Sequence, residues 1–278
     1  MLAGDFWQEV ANELAARRAA VVATVVRDIG SVPRGTGARM LVYEDGRTLG
    51  TVGGGLFEAL VVRDAQELLA AGRSETRTYS FNPEGSGPHA FGAVCGGRAE
   101  IFFDVAVPSN QLIIVGGGHC GRALAEAASL LDFSIVVADD RQEFARPDDF
   151  AFPNVRSVLC LPPDFSGLPE ADRRTYVALV SKGYVTDEAA LRRVIESPAA
   201  YIGMIGSRRK RDIVFGRLRL DGLSEEKLAR VRSPIGLEIE ADTPQEIAIS
   251  ILAEIIAVRR AAERGRPAPA SQRETPTV

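Results

Sequence analysis

Cysteine, histidine and tryptophan are scarce in this chain of 278 residues: three, two and one respectively. Cys95, Cys120 and Cys160 are an odd number at no zinc-finger spacing. A disulfide-stapled scaffold is therefore excluded, and in a reducing compartment the thiols are expected to be free. With His89 and His119 alone, neither a histidine-rich metal site nor a serine–histidine–aspartate triad is readily assembled. Long apolar runs are missing too. Residues 19–26 stop at Arg27 and 247–258 are interrupted by Glu254, well short of the roughly 20 residues a membrane span needs. There is no excess of positive charge: 33 basic against 37 acidic side chains give −4 at neutral pH, which argues against a general nucleic-acid binder. Asp5, Glu9 and Glu13 stand where a secretory signal would be basic, so the expected compartment is cytoplasmic.

What is present is ordinary for a folded protein: 46% hydrophobic and 25% charged residues, in a length that suggests two domains. The expected fold class is α/β. An N-terminal mixed α/β domain over 1–108 is followed by a C-terminal Rossmann-like, doubly wound domain over 109–263, and a proline-rich tail at 264–278 is expected to be disordered. Phe6, Val10 and Leu14 share one helical face and predict a helix over 5–18. Strands are predicted at 20–26, 38–43, 48–52, 76–81 and 99–105, and a helix over 56–71 that ends at Gly72. The 82–97 loop between the last two strands holds five glycines and two prolines, and its length points to a functional segment. After Pro108 the pattern becomes strand–helix alternation. Strands are predicted at 112–115, 134–138, 156–160, 176–180 and 201–205, and helices at 122–131, 187–196, 208–220 and 225–231. Thr243-Pro244-Gln245-Glu246 reads as a capping box opening a last helix. Asp148-Asp149 and the stretch from Ser181 to Asp187 read as surface loops.

Glycines mark the candidate sites. Gly116, Gly118 and Gly121 form G-x-G-x-x-G between a predicted strand and a predicted helix, and the next strand ends at Asp139, 23 residues after Gly116. That is close to where a dinucleotide fold places the acid for ribose hydroxyls. The competing reading is a turn that merely packs strand on helix. Gly206-Ser207-Arg208 opens a second strand–helix junction, with cations continuing to Arg211, suited either to a phosphate or to a solvated basic face. In the first domain, Arg34 and Arg39 sit in a flexible segment beginning at Gly30. Gly53-Gly54-Gly55, with Glu58 shortly after, is costly to order and favours close backbone approach to a ligand. Cys95 ends the long loop; free cysteines are commonly small buried hydrophobes. Cys120 falls in a helical first turn, where the dipole can lower a thiol pKa; the competing reading is that it simply packs under the loop. Cys160 follows a strand and is expected in the core.

Taken in order and spacing, these segments resemble the XdhC/CoxI family, the xanthine dehydrogenase accessory proteins. The resemblance runs from about Phe6 to Val258 and is carried by residues 30–39, Gly50-Thr51-Val52-Gly53-Gly54-Gly55 with Glu58, Cys95-Gly96-Gly97, the Gly116 loop, residues 203–210, Ser233-Pro234-Ile235-Gly236-Leu237 and residues 243–256. It implies a protein that binds the molybdenum cofactor (molybdopterin), guards it while a cysteine desulfurase installs its terminal sulfur, and delivers it to a molybdenum hydroxylase apoenzyme of the xanthine dehydrogenase kind. By the same resemblance Cys95 is a candidate molybdenum ligand or sulfur handler. A homodimer is among the expected partners; nucleic acid and membrane are not. The chain departs from the family pattern at Leu56, where many relatives have a further cysteine, and at Lys182-Gly183-Tyr184, where many have a histidine.

Two other functions remain open on the residues alone. One is an NAD(P)-dependent oxidoreductase using the Gly116 loop and Asp139, and the other is a nucleotide-sensing module without turnover. A carrier needs only phosphate grips and a thiol, whereas hydride transfer also needs a general acid or base near the nicotinamide.

Overall fold

The computed structural model describes residues 3–81, 96–146 and 150–266, and the chain divides into two compact units, Met1–Pro108 and Ser109–Val278. Cys95 with most of the long loop, Asp148-Asp149 and the tail from residue 267 lie outside the described residues.

The first unit contains α1 (Ala3–Ala15), β1 (Ala20–Ile29), β2 (Arg39–Tyr43), β3 (Thr48–Gly50), α2 (Gly55–Ala71), β4 (Glu75–Ser80) and β5 (Arg98–Ala106). Its strands form an antiparallel sheet in the order β3-β2-β1-β5-β4. The two-residue period of the strands sorts their side chains onto opposite faces. Val21, Ala23, Met40 and Val42 pack with Phe57, Val61 and Leu68 of α2. Ala20, Val22, Leu41 and Tyr43 pack with Phe6 and Val10 of α1. A one-residue slip of the Val21–Val42 and Val22–Leu41 register would exchange the two cores, so burial on both faces fixes the pairing. β1 runs three residues beyond its predicted end, because β5 pairs with it as far as Ile29 and Arg98. α2 ends as expected at Gly72, whose φ of 63° lets its N–H reach the carbonyls of Leu68 and Leu69.

The second unit contains β6 (Asn110–Val115), α3 (His119–Ala128), β7 (Phe133–Asp139), a short 3₁₀ turn (Gln142–Phe144), β8 (Val155–Leu159), β9 (Thr175–Leu179), α4 (Tyr184–Val194), β10 (Tyr201–Met204), α5 (Arg208–Leu220), α6 (Glu225–Ala229), β11 (Val231–Arg232) and α7 (Pro244–Glu263). The sheet is parallel, in the order β11-β10-β9-β6-β7-β8. The chain winds outward in one direction from β6 and in the other from β9, which is the doubly wound Rossmann arrangement. Leu112, Ile113, Ile114 and Val115 of β6 are fully buried, as a central parallel strand requires. Helices α3 and α7 cover one face, and α4 and α5 the other. Burial of each large aliphatic side chain in these layers contributes about 1.5–3 kcal/mol.

Three expectations are corrected. The segment from Ser181 to Asp187 is not a surface loop: α4 begins at Tyr184, and Ser181, Thr186 and Asp187 are buried. The predicted 225–231 helix stops at Ala229, because Val231 and Arg232 pair with Ile202 and Gly203 as β11. The helix predicted at 122–131 starts at His119 instead, directly after the glycine turn. The Thr243–Glu246 capping box is present on α7. Glu254, which breaks the apolar run of that helix, is itself buried. Its Oε2 accepts from the Tyr201 hydroxyl at 2.5 Å and the Gly236 N–H at 2.9 Å, and its Oε1 from Arg232 at 3.0 Å. Glu254 thus ties the Ser233 to Leu237 segment to the core.

Candidate functional site

Antiparallel pairing brings the end of β1, the starts of β2 and β5 and the ends of β3 and β4 to one edge of the first unit's sheet. The glycine-rich segments of this unit meet there. Ser31 bridges to Gly96, and a Cβ on Gly97 would run into the Ser31 carbonyl. Gly96 is further held by its N–H to Phe81 O, at 2.9 Å. The Gly30 to Gly37 loop is pinned by Asp28, which accepts from the Thr36 N–H at 2.7 Å and hydroxyl at 2.5 Å; these bonds hold its carboxyl below the ordinary range. Pro33 of this loop lies against Gly53, leaving 2.5 Å between Pro33 Cβ and the place of a Cβ on that glycine.

Gly53, Gly54 and Gly55 have φ of 150°, 76° and 62°, a run of positive values that side chains disfavour. Thr51 and Glu58 brace the turn from inside. The Thr51 hydroxyl donates to Glu58 Oε2 at 2.5 Å, the Gly54 N–H donates to the same oxygen at 3.1 Å, and the Gly53 N–H donates to Thr51 Oγ1 at 3.1 Å. On the outer side, among the described residues, no atom beyond the chain neighbours lies within 4 Å of a Cβ placed on Gly54 or Gly55. Glu58 is therefore a brace of the turn. Arg34 is exposed on the loop that covers Gly53. Arg39 points to the opposite face, its guanidinium 5.4 Å from the ring centroid of Trp7 on α1, and does not join this group.

In the second unit, Gly116, Ser181 and Gly206 follow parallel strands and Asp139 ends one, so that all four share the carboxyl edge of the sheet, where ligands of open α/β folds bind. Each glycine of the first loop has its own reason. A Cβ on Gly121 would collide with the Gly116 carbonyl, and one on Gly116 would stand 2.8 Å from the Ser181 backbone; among the described residues, nothing beyond the chain neighbours lies within 4 Å of one on Gly118. Two of the glycines thus serve close packing, and Gly118 alone leaves open the space a phosphate would use.

Asp139 is almost wholly buried, and its carboxylate is engaged by the chain. Gly117 N–H reaches it at 2.7 Å, Arg141 N–H and Nε at 2.9 Å and the Arg141 terminal nitrogen at 3.0 Å. Burial works to raise this carboxyl, and the Arg141 and Gly117 bonds outweigh it, leaving the pKa lowered. At the other junction Ser207 caps α5, accepting from the Lys210 N–H, while Arg208 is exposed. The cation run is split. Lys210 turns inward, 2.5 Å from the Asp187 carboxylate, and also donates to the Ser181 carbonyl at 2.9 Å. Gly206, with φ of 144°, leaves room for its stem.

Sequence reasoning missed Ser181, Asp187 and Lys210. The Ser181 hydroxyl lies 2.5 Å from Asp187 Oδ1, and the neighbouring Thr186 donates to Asp140 at 2.6 Å. The available signal was position: a polar run directly after a predicted central strand. The cysteines are also settled in part. Cys120 packs against the core of the second unit and burial pushes its thiol up, and burial pushes Cys160, fully buried in the core, to about 11. Among the described residues no three metal-ligating side chains are grouped, and no helix is long and apolar enough to cross a membrane.

A family model described as the XdhC and CoxI family matches residues 13–80, and one described as the XdhC Rossmann domain matches residues 112–255. The chain is 37% identical over 246 residues to an uncharacterised Escherichia coli protein, YqeB, covering 88% of this chain and 44% of that one. It is 24% identical over 293 residues to PaoD of Escherichia coli, named as a molybdenum cofactor insertion chaperone, covering 87% and 84% of the two chains. It is 28% identical over 164 residues to a Bacillus subtilis protein named as a probable xanthine dehydrogenase subunit, covering 58% and 46%. The chain thus spans less than half the length of the first and third of these relatives.

Proposed function

The chain belongs to the XdhC and CoxI family, and from that premise we propose that it binds the molybdenum cofactor and hands it to a xanthine dehydrogenase-like apoenzyme, with no turnover of its own. The observation that carries the reading is the meeting of three glycine segments at one sheet edge, with Cys95 the residue directly before Gly96 in the chain. The name of PaoD as an insertion chaperone supports the same reading.

The donor set suits the group. Bare peptide at Gly54 and Gly55 admits a flat polar ligand closely, Arg34 offers a cation, and a thiolate at Cys95 is a suitable partner for a soft molybdenum–dithiolene centre. Gly118, and the junction of Gly206, Ser207 and Arg208, are the phosphate grips of the second unit. When bound, the cofactor supplies the metal centre on which the client enzyme's chemistry depends. In this reading a cysteine desulfurase is the sulfur-supplying partner, and Cys95 holds the cofactor during that exchange.

The test compares molybdenum retained by the full chain and by its Cys95→Ala, Cys120→Ala and Cys160→Ala variants after incubation with the cofactor. Retention is expected to fall by about tenfold or more in Cys95→Ala alone. Undiminished retention in that variant removes Cys95 from the site.

A further inference from the structure

The Rossmann arrangement of the second unit invites a nicotinamide dinucleotide, and the residues present do not fit one. We infer that the crevice beside Gly116 has no ribose acceptor for NAD(P) and that its phosphate ligand carries no adenosine across the end of β7. This inference stands apart from the proposed cofactor function.

The first observation is the state of Asp139. A dinucleotide fold uses the acid at the end of the second strand to accept two ribose hydroxyls. Asp139 is the last residue of β7 and occupies that position. A carboxylate offers about four acceptor directions. Asp139 fills four with Gly117 N–H, Arg141 N–H, Arg141 Nε and the Arg141 terminal nitrogen, at 2.7 to 3.0 Å. The adjacent Asp140 is drawn toward α4, accepting from Thr186 at 2.6 Å, and lies 3.8 Å from Arg141 Nε.

The second observation is steric. After β7 the chain turns back onto the glycine loop, so that the Phe144 carbonyl and Cβ lie 2.5 and 3.0 Å from the place of a Cβ on Gly117. The Arg141 guanidinium stacks on the Phe144 ring, 4.0 Å from its centroid. Phe144 and the Arg141 guanidinium thus lie along the strip between loop and strand end on which an adenosine would lie. A 2′-phosphate would have to share the guanidinium that would receive it, which already donates from two nitrogens to Asp139. Gly118, by contrast, remains open. What fits is a phosphate or pyrophosphate group whose organic part extends away from β7.

The experiment titrates the full-length protein with NADH and NADPH by fluorescence, and with ADP-ribose and pyrophosphate by calorimetry. Neither dinucleotide is expected to bind more tightly than about 1 mM, and ADP-ribose is expected within about threefold of pyrophosphate. A Gly118→Val variant, checked for folding by circular dichroism, locates any binding seen. Dinucleotide binding at about 10 µM or tighter that this variant weakens by more than about tenfold overturns the inference. Binding that the variant leaves unchanged lies outside the crevice and agrees with it.

Discussion

Lys210 Nζ stands 2.5 Å from the carboxylate of Asp187, an ion pair joining α5 to α4 beneath the carboxyl edge of the parallel sheet. Asp187 is fully buried and Lys210 largely so. Burial pushes the Asp187 carboxyl up, and Lys210 pulls it partly back. Lys210→Met removes the cation that faces this buried acid and is expected to destabilise the protein by about 3–5 kcal/mol. The double variant Lys210→Met with Asp187→Leu should recover more than half of that loss, since apolar replacement of a whole buried pair is often near neutral. Chemical denaturation of the three proteins decides it; no recovery in the double variant would mean that the pair is not the source of the loss.

Asp139 behaves in the opposite sense. Its folded-state pKa is lowered, so its contribution is complete above the ordinary carboxylate value of about 3.9 and is lost as pH falls through the lower folded value. Asp139→Asn should cost about 1–3 kcal/mol at pH 7. Its melting temperature should then fall less steeply than the parent's below pH 4. Parallel melting curves across that range would contradict this account.

The Rossmann loop separates packing from binding. Gly121→Ala places a methyl against the Gly116 carbonyl and is expected to cost several kcal/mol, roughly 3 or more. Gly118→Ala meets open space at an ordinary φ of −67° and should change stability by no more than about 0.5 kcal/mol. Thermal unfolding of the two variants gives the comparison directly.

Much of this architecture was legible from local pattern. The Phe6, Val10 and Leu14 face, the turn at Gly72 and the Thr243 capping box each follow from residues a few positions apart, and each is present. The failures are non-local. Asp187 reads as a loop acid until Lys210, from another helix, is placed beside it. Val231 reads as helical until β10 offers it a partner strand. Arg39 and Arg34 belong to one glycine-rich segment in sequence, but strand alternation sends Arg39 to Trp7 on the other face. Glu58 has the residue type of a ligand-facing acid, and only the geometry shows its oxygen turned to Thr51 and Gly54.

The brace at Glu58 is testable on its own. Glu58→Ala should release the turn, costing about 1–2 kcal/mol. It should reduce molybdenum retention under the proposed function, whereas Glu58→Gln, which keeps an acceptor for the Gly54 N–H, should preserve most of both. Equal loss in the two variants would point to the charge and not to the brace.

The pairing of Phe81 with Gly96 and Gly97 has a consequence for the connection it closes. The N–H of Phe81 meets the Gly97 carbonyl and the N–H of Gly96 meets the Phe81 carbonyl, each at 2.9 Å, so both ends of the intervening 82–95 stretch are fastened to the sheet. Closing a loop costs only about 0.6 kcal/mol more for each doubling of its length. A longer connection between the fourth and fifth strands therefore adds only a small closure-entropy cost. The fastening at Phe81, Gly96 and Gly97 is thereby separable from the length of the connection it closes.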